Sequence, residues 1–235
     1  TTFSADAGSD SNRDKNLRLA CKAIDGKEIY PEEVFSFFDA LGEPTEKRGY
    51  LPVSTYRNGK VETIVGEGIS QVSSALYHCA LSAELEIVER DNHSYCPNYV
   101  PPGLDATVSW SSTDFQFRNT GNYPIRIKAE ADAGEITVTL VGTQTRSYRV
   151  ALEFEYIDKT EYDVIYQKMQ PDNPEGYQDG DYIVEPCEGY KIKTYLCKYD
   201  KNTGKQLARD FIEQSNYAAR DAVICKIDGT AEANR

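Results

Sequence analysis

Gly66-Glu67-Gly68-Ile69-Ser70-Gln71-Val72-Ser73-Ser74-Ala75-Leu76-Tyr77-His78-Cys79-Ala80-Leu81-Ser82-Ala83-Glu84-Leu85 is the stretch on which the reading of this chain turns. Val72, Ala75, Leu76, Cys79, Ala80 and Ala83 recur at helical spacing and form one apolar stripe. The spacing predicts a helix over 71–85, with Gly66 and Gly68 as a flexible approach and Ser70 at its N-terminus. Unpaired backbone N–H groups and the positive end of the helix dipole converge at such a point. A nucleophile there has its anionic form stabilised, and nearby amides can form an oxyanion hole. The plainer alternative is a serine that only caps the helix.

Working outward, Leu17, Ala20, Cys21 and Ile24 predict a second helix over 11–24, capped by Asp10 or Ser11 and ended by Gly26. Pro31 to Phe38 alternates aromatic and polar residues and reads as a short strand or loop. Residues 50–65 read as a hairpin around Asn58-Gly59. After Glu84, strand propensity recurs at 85–90, 107–110, 115–118, 124–129 and 135–141, with turns at 119–122 and 132–134. The composition then shifts. Residues 150–185 are rich in Tyr, Asp and Glu without a long apolar run. Residues 188–230 read as a small β unit, with Tyr190 to Tyr199 alternating, a turn at 200–204 and a last strand at 222–227. The tail from Thr230 to Arg235 reads as frayed. A boundary near 145–150 divides the chain into 1–147 and 148–235. The expected class is α+β, with two helices on a mostly antiparallel sheet, the nucleophile at a helix N-terminus, and a small C-terminal β unit.

Bulk properties narrow the choice of partner. The chain has 235 residues and a net charge of −12. With no basic stripe to neutralise phosphates, nucleic acid is not expected as a partner. Nor is an electrostatic anchor to anionic lipid. No run approaches the roughly 20 apolar residues that a membrane helix needs, and no signal peptide opens the chain. Six cysteines and two histidines contain no CxxC and no zinc spacing, so neither a metal nor an organic cofactor is expected. Cys21 and Cys79 fall at apolar helical positions, where a buried free thiol is usual. Cys197 and Cys225 lie in strand-like runs and can pair or stay free.

A nucleophile needs a base, and the base needs a group to orient it. His93 follows the 85–90 strand, a nucleophile-then-histidine order shared with papain-like cysteine enzymes. Asp105 begins the next strand after Pro101-Pro102-Gly103, and an antiparallel return would bring it near His93. Asp114 is the reserve. His78 lies about 12 Å along the helix from Ser70 by the standard rise, and is set aside as the base.

Several ordered motifs carry a resemblance. They are Phe35-Ser36-Phe37, Gly66-Glu67-Gly68-Ile69-Ser70-Gln71-Val72-Ser73-Ser74-Ala75-Leu76-Tyr77, His93-Ser94, Tyr99-Val100-Pro101-Pro102-Gly103-Leu104-Asp105-Ala106-Thr107-Val108, Asp114-Phe115 and Asn122-Tyr123-Pro124-Ile125. Over about 11–142 the chain resembles the VanW domain family of Gram-positive bacteria, named for vancomycin-resistance clusters. The late β unit, with Tyr199-Asp200-Lys201 and Gly229-Thr230, is similar to the small β domain that often trails such modules.

The family pattern reads Gly-Gly-Gly-Ile-Cys-Gln, whereas this chain has Glu67 for the middle glycine and Ser70 for the cysteine. Some members are understood as L,D-transpeptidases. The resemblance therefore implies acyl transfer through position 70 that forms diaminopimelate–diaminopimelate (3-3) cross-links between peptidoglycan stem peptides. His93 would move the proton, Asp105 would hold His93, and amides around 70–71 would hold the oxyanion. Gly68, Gln71, Tyr99 and Trp110 would contact substrate. The implied location is the cell wall or the outer face of the membrane of a Gram-positive bacterium. On that resemblance a serine at position 70 should leave the chain inactive or slow, and the intact surroundings favour a substitution made to silence it over natural degeneration. The alternatives are a non-catalytic peptidoglycan-binding accessory protein and a cell-wall peptidase.

Overall fold

A computed structural model describes residues 1–6, 11–57, 60–110, 112–132, 134–143, 146–173 and 175–227. The elements, in order, are β1 (Thr2–Asp6), α1 (Ser11–Ile24), β2 (Glu28–Ile29), β3 (Val34–Ser36), α2 (Phe37–Leu41), a 3-10 turn at Glu46–Arg48, β4 (Pro52–Arg57) and β5 (Lys60–Val65). There follow α3 (Ile69–Ser82), β6 (Glu86–Glu89), β7 (Gln116–Arg118), β8 (Ile125–Asp132) and β9 (Glu135–Val141). The C-terminal part is all strand: β10 (Tyr148–Thr160), β11 (Val164–Met169), β12 (Tyr182–Val184), β13 (Gly189–Asp200), β14 (Gln206–Tyr217) and β15 (Ala222–Ile227).

The class is α+β and rich in strand, but the sheet is divided. The strand orders are β1-β9-β8-β2, β3-β7-β6 and β4-β5 in the first part, and β10-β13-β14 and β11-β15-β12 in the second. Pairing is antiparallel except between β11 and β15. Two expectations about helices change. A third helix, α2, starts inside the segment read as strand or loop. Ser36 caps it by accepting from the Asp39 amide at 3.1 Å, and at five residues it is too short to show a period. Helix α3 begins at Ile69, so Ser70 is its second residue and Gly68 the cap. The Asn58-Gly59 turn, Asp10, Gly229-Thr230 and the tail lie outside the described residues.

The core shows why the two long helices form where they do. Leu17, Ala20, Cys21 and Ile24 of α1 and Val72, Ala75, Leu76, Cys79 and Ala80 of α3 bury against Ile127, Ile136 and Val138 of the four-stranded sheet. Each fully buried large aliphatic side chain contributes about 1.5–3 kcal/mol. Cys21 and Cys79 are free buried thiols, pushed up to about 12 and about 11 respectively, in both cases chiefly by burial. Cys197 and Cys225 are also free.

The other face of α3 is polar and equally buried. Ser73 Oγ donates to the Ala106 carbonyl at 2.6 Å, and the Ala106 amide donates to Ser74 Oγ at 3.0 Å. These bonds hold the segment 105–108 along the helix. That segment is not the expected strand. It makes only the isolated bridge Asp91–Thr107, beside a Ser109–Thr113 bridge. The loop entering α3 is fixed from below by buried Asn16, whose side chain bonds the Leu51 amide (2.7 Å) and the Leu51 and Glu67 carbonyls (2.9 and 3.1 Å).

Candidate active site

A cavity of about 450 Å³ opens at the N-terminus of α3, a size within the range of small-ligand sites. Gly68, Ser70, Gln71, His93, Tyr99 and Trp110 all line it. Trp110 is exposed and stands edge-on to Phe38, ring centroids 5.1 Å apart. Arg13 and Glu67, paired at 3.3 Å, supply charges of both signs to the wall. Among the described residues, no group of three His, Cys, Asp or Glu side chains is arranged to hold a metal. No described helix is long and apolar enough to cross a membrane.

Asp105 lies behind His93, out of the cavity and fully buried. Its Oδ2 accepts from His93 Nδ1 at 2.7 Å and from the His93 amide at 2.7 Å. Its Oδ1 faces Arg90 Nη2 at 3.2 Å and accepts a hydrogen bond from the Tyr217 hydroxyl. Burial pushes the carboxyl up, but the His93 hydrogen bond and the Arg90 charge outweigh it and hold Asp105 below the ordinary carboxylate range. An ionised Asp105 obliges His93 Nδ1 to donate, which in the neutral ring leaves Nε2 as the acceptor. Nε2 lies 3.2 Å from the Tyr99 hydroxyl, a phenol raised well above its usual value by burial and therefore a donor.

Two details depart from the simplest triad. Ser70 Oγ is bound to the backbone of Val108, accepting from its amide at 3.2 Å and reaching its carbonyl at 3.4 Å, rather than to His93. The Gln71 amide donates to the Gly68 carbonyl at 2.8 Å, so it is committed to the first turn and is not aimed at the cavity. The reserve orienting group, Asp114, and the histidine set aside as the base, His78, are both occupied elsewhere. Asp114 bonds Ser36 Oγ at 2.6 Å and the Phe38 amide at 3.0 Å, tying down α2. His78 stacks on Phe3 at 4.2 Å, and burial lowers its pKa to about 4.

Sequence reasoning missed Arg90, Ser215 and Tyr217. The Arg90 side chain is 3% exposed, bonds Ser215 Oγ at 3.0 Å and pairs with Glu213 at 2.8 Å. The one signal available was the alternation Glu213, Ser215, Tyr217, which puts all three on one face of a strand.

A family model described as VanW like protein matches residues 12–141. The uncharacterized protein YoaR of Bacillus subtilis (strain 168) is 40% identical over 142 residues, which is 60% of this chain and 47% of that protein. The vancomycin B-type resistance protein VanW of Enterococcus faecalis (strain ATCC 700802 / V583) is 31% identical over 131 residues, 53% of this chain and 47% of that protein. The chain thus spans about half the length of these curated relatives. Among solved structures, the G5 domain of IgA1 protease aligns over 37% of this chain and 100% of its own, with 15% identity and a TM-score of 0.20. With the family model matched across residues 12–141, from α1 through β9, the chain belongs to the VanW-like family.

Proposed function

We propose that this chain carries the acyl-transfer site of a peptidoglycan L,D-transpeptidase, with position 70 as the attacking residue and serine there as a slowed form. The observation that carries the reading is His93, held from behind by the buried Asp105 carboxylate and lining the same cavity as Ser70. On this reading the thiolate of a cysteine at position 70 attacks the carbonyl carbon of the third residue of a donor stem. The bond to the fourth residue breaks, and that residue leaves as an amine with the proton carried by His93. A diaminopimelate amine of a second stem then attacks the thioester, gives its proton to His93 and releases the thiol. The oxyanion falls to the Ser70 amide, since the Gln71 amide is engaged. The site works in the cell wall, outside the membrane. On this reading Nε2 passes from the Tyr99 hydroxyl to the reacting groups when substrate enters, since catalytic hydrogen bonds reach their working geometry only in the substrate complex.

One observation favours a second reading, a stem-peptide binder without chemistry: the Ser70 hydroxyl sits on Val108 and not on the imidazole. The deciding experiment incubates the Ser70→Cys protein with purified stem tetrapeptides and reads products by mass spectrometry, with the serine form as control. A cross-linked dimer and an acyl adduct on residue 70, lowered roughly 10²–10⁴-fold by His93→Ala, support transpeptidation. Shortened stems alone make it a peptidase. Binding without products leaves the accessory reading.

A further inference from the structure

Tyr217 belongs by sequence to the C-terminal β unit, yet it touches the group that orients His93. The Asp105 carboxylate receives four donors. Two come from His93, one from Arg90 and one from Tyr217. The Tyr217 hydroxyl is itself fixed, since it accepts from the Gly103 amide at 2.9 Å while donating to Asp105. Burial and then the Asp105 charge hold that phenol protonated, so its role as donor is set. Arg90 depends on the same strand, through Ser215 and Glu213 on β14. Tyr77 joins from α3 by donating to Glu213.

Ser215 and Thr194 are fully buried polar residues, Tyr217 nearly so, and all three meet the 90–105 segment. Thr194 Oγ1 donates to the Gly103 carbonyl at 3.2 Å. A buried polar group placed this way costs stability unless its partner is in register, so the contact is selective in geometry.

We infer that strand β14 is part of the site's machinery, with Tyr217 as a positioning residue that fixes the Asp105 carboxylate and through it the His93 ring. The inference rests on reading His93 and Asp105 as the acid–base pair. The C-terminal unit then completes the site in the same chain.

The test uses the full chain with ¹⁵N-labelled histidine. Only two histidines are present, so His78→Gln assigns the His93 signal. The His93 Nδ1 proton, bonded to Asp105, should exchange slowly with water in the parent protein. In Tyr217→Phe, which keeps the ring and deletes the hydroxyl, its exchange should quicken roughly tenfold. Ser215→Ala should give a smaller change in the same direction, and it serves as the second variant if Tyr217→Phe does not fold. Tyr199→Phe, which removes a hydroxyl bonded to Glu153 away from the site, should change nothing. Exchange unaltered in both Tyr217→Phe and Ser215→Ala, or altered equally by Tyr199→Phe, would overturn the inference. The stem-peptide reaction of the Ser70→Cys protein is scored separately. If it yields no acyl adduct while the exchange effect is present, the acyl-transfer reading falls and the positioning role stands. If acylation proceeds equally with and without the Tyr217 hydroxyl, and exchange is unchanged, the positioning role falls alone.

Discussion

Between Leu17 and Leu140 the chain gathers most of its buried apolar side chains into one cluster, drawn from the three helices, the four-stranded sheet, β3, β7 and the loops beside them. From Tyr148 onward it makes strands of up to 13 residues whose large side chains often face solvent, Phe154, Tyr156, Tyr166 and Phe211 among them. The first region is held by area removed from water. The second buries fewer apolar side chains, Val184, Ile192 and Leu196 among them, and leans more on backbone ladders and on buried polar contacts with the first. The difference teaches where each region is sensitive: the body to loss of volume, the extension to loss of register against the body.

The largest expected effect tests the body. Phe115 is fully buried against Tyr77 and Phe117, and Phe115→Ala should cost about 3–5 kcal/mol in denaturant unfolding. Phe211→Ala in the extension, at a residue 55% exposed, should stay within about 0.5 kcal/mol. Equal costs would erase the contrast.

A middle-sized effect tests the join. Gly103 has φ +80°, and a Cβ there would meet Thr194 Oγ1 at 2.5 Å and Ile192 at 3.3 Å. Both neighbours are on β13, so Gly103→Ala should cost about 1–3 kcal/mol. Limited proteolysis should then cut the 142–147 connection sooner while the body persists. Simultaneous loss of both regions would mean that they unfold as one unit.

The smallest effect uses pH, since both histidines lie in the body. Burial lowers His78 from 6.5 to about 4. The unfolded chain therefore binds a proton below pH 6.5 that the folded chain refuses until about pH 4. Stability should fall across that window and stay level above it, by on the order of 1–2 kcal/mol after allowance for partial solvent screening. Asp105, with its pKa held down, contributes in a different window: its share persists above pH 3.8 and is lost only as pH falls below that. His78→Phe, which keeps the stack on Phe3, should flatten the melting temperature between pH 6.5 and 4.

How far the sequence could be read follows the same division. Helices α1 and α3 were legible because their apolar stripes face one core. The approach of Asp105 to His93 was legible because the Asp91–Thr107 bridge returns the chain on itself within a short span. Strand β10 was not, since much of its length is exposed on both faces and so writes no period of two into the sequence. The serine face of α3 was hidden for a related reason: Ser73 and Ser74 add nothing to the apolar stripe, yet hydrogen bonds to Ala106 bury them. Tyr217 was beyond local pattern altogether, because its partner lies 112 residues earlier.

That separation has a consequence for how the protein comes into being. A chain made from its N-terminus extends at roughly 5–20 residues per second, so Asp105 emerges roughly 6–22 s before Tyr217. Throughout that interval the helix, the histidine and the cavity can assemble while the last hydrogen bond to the carboxylate cannot. Synthesis itself thus acts as a timer, leaving the newborn body unfinished at its centre until β14 has arrived.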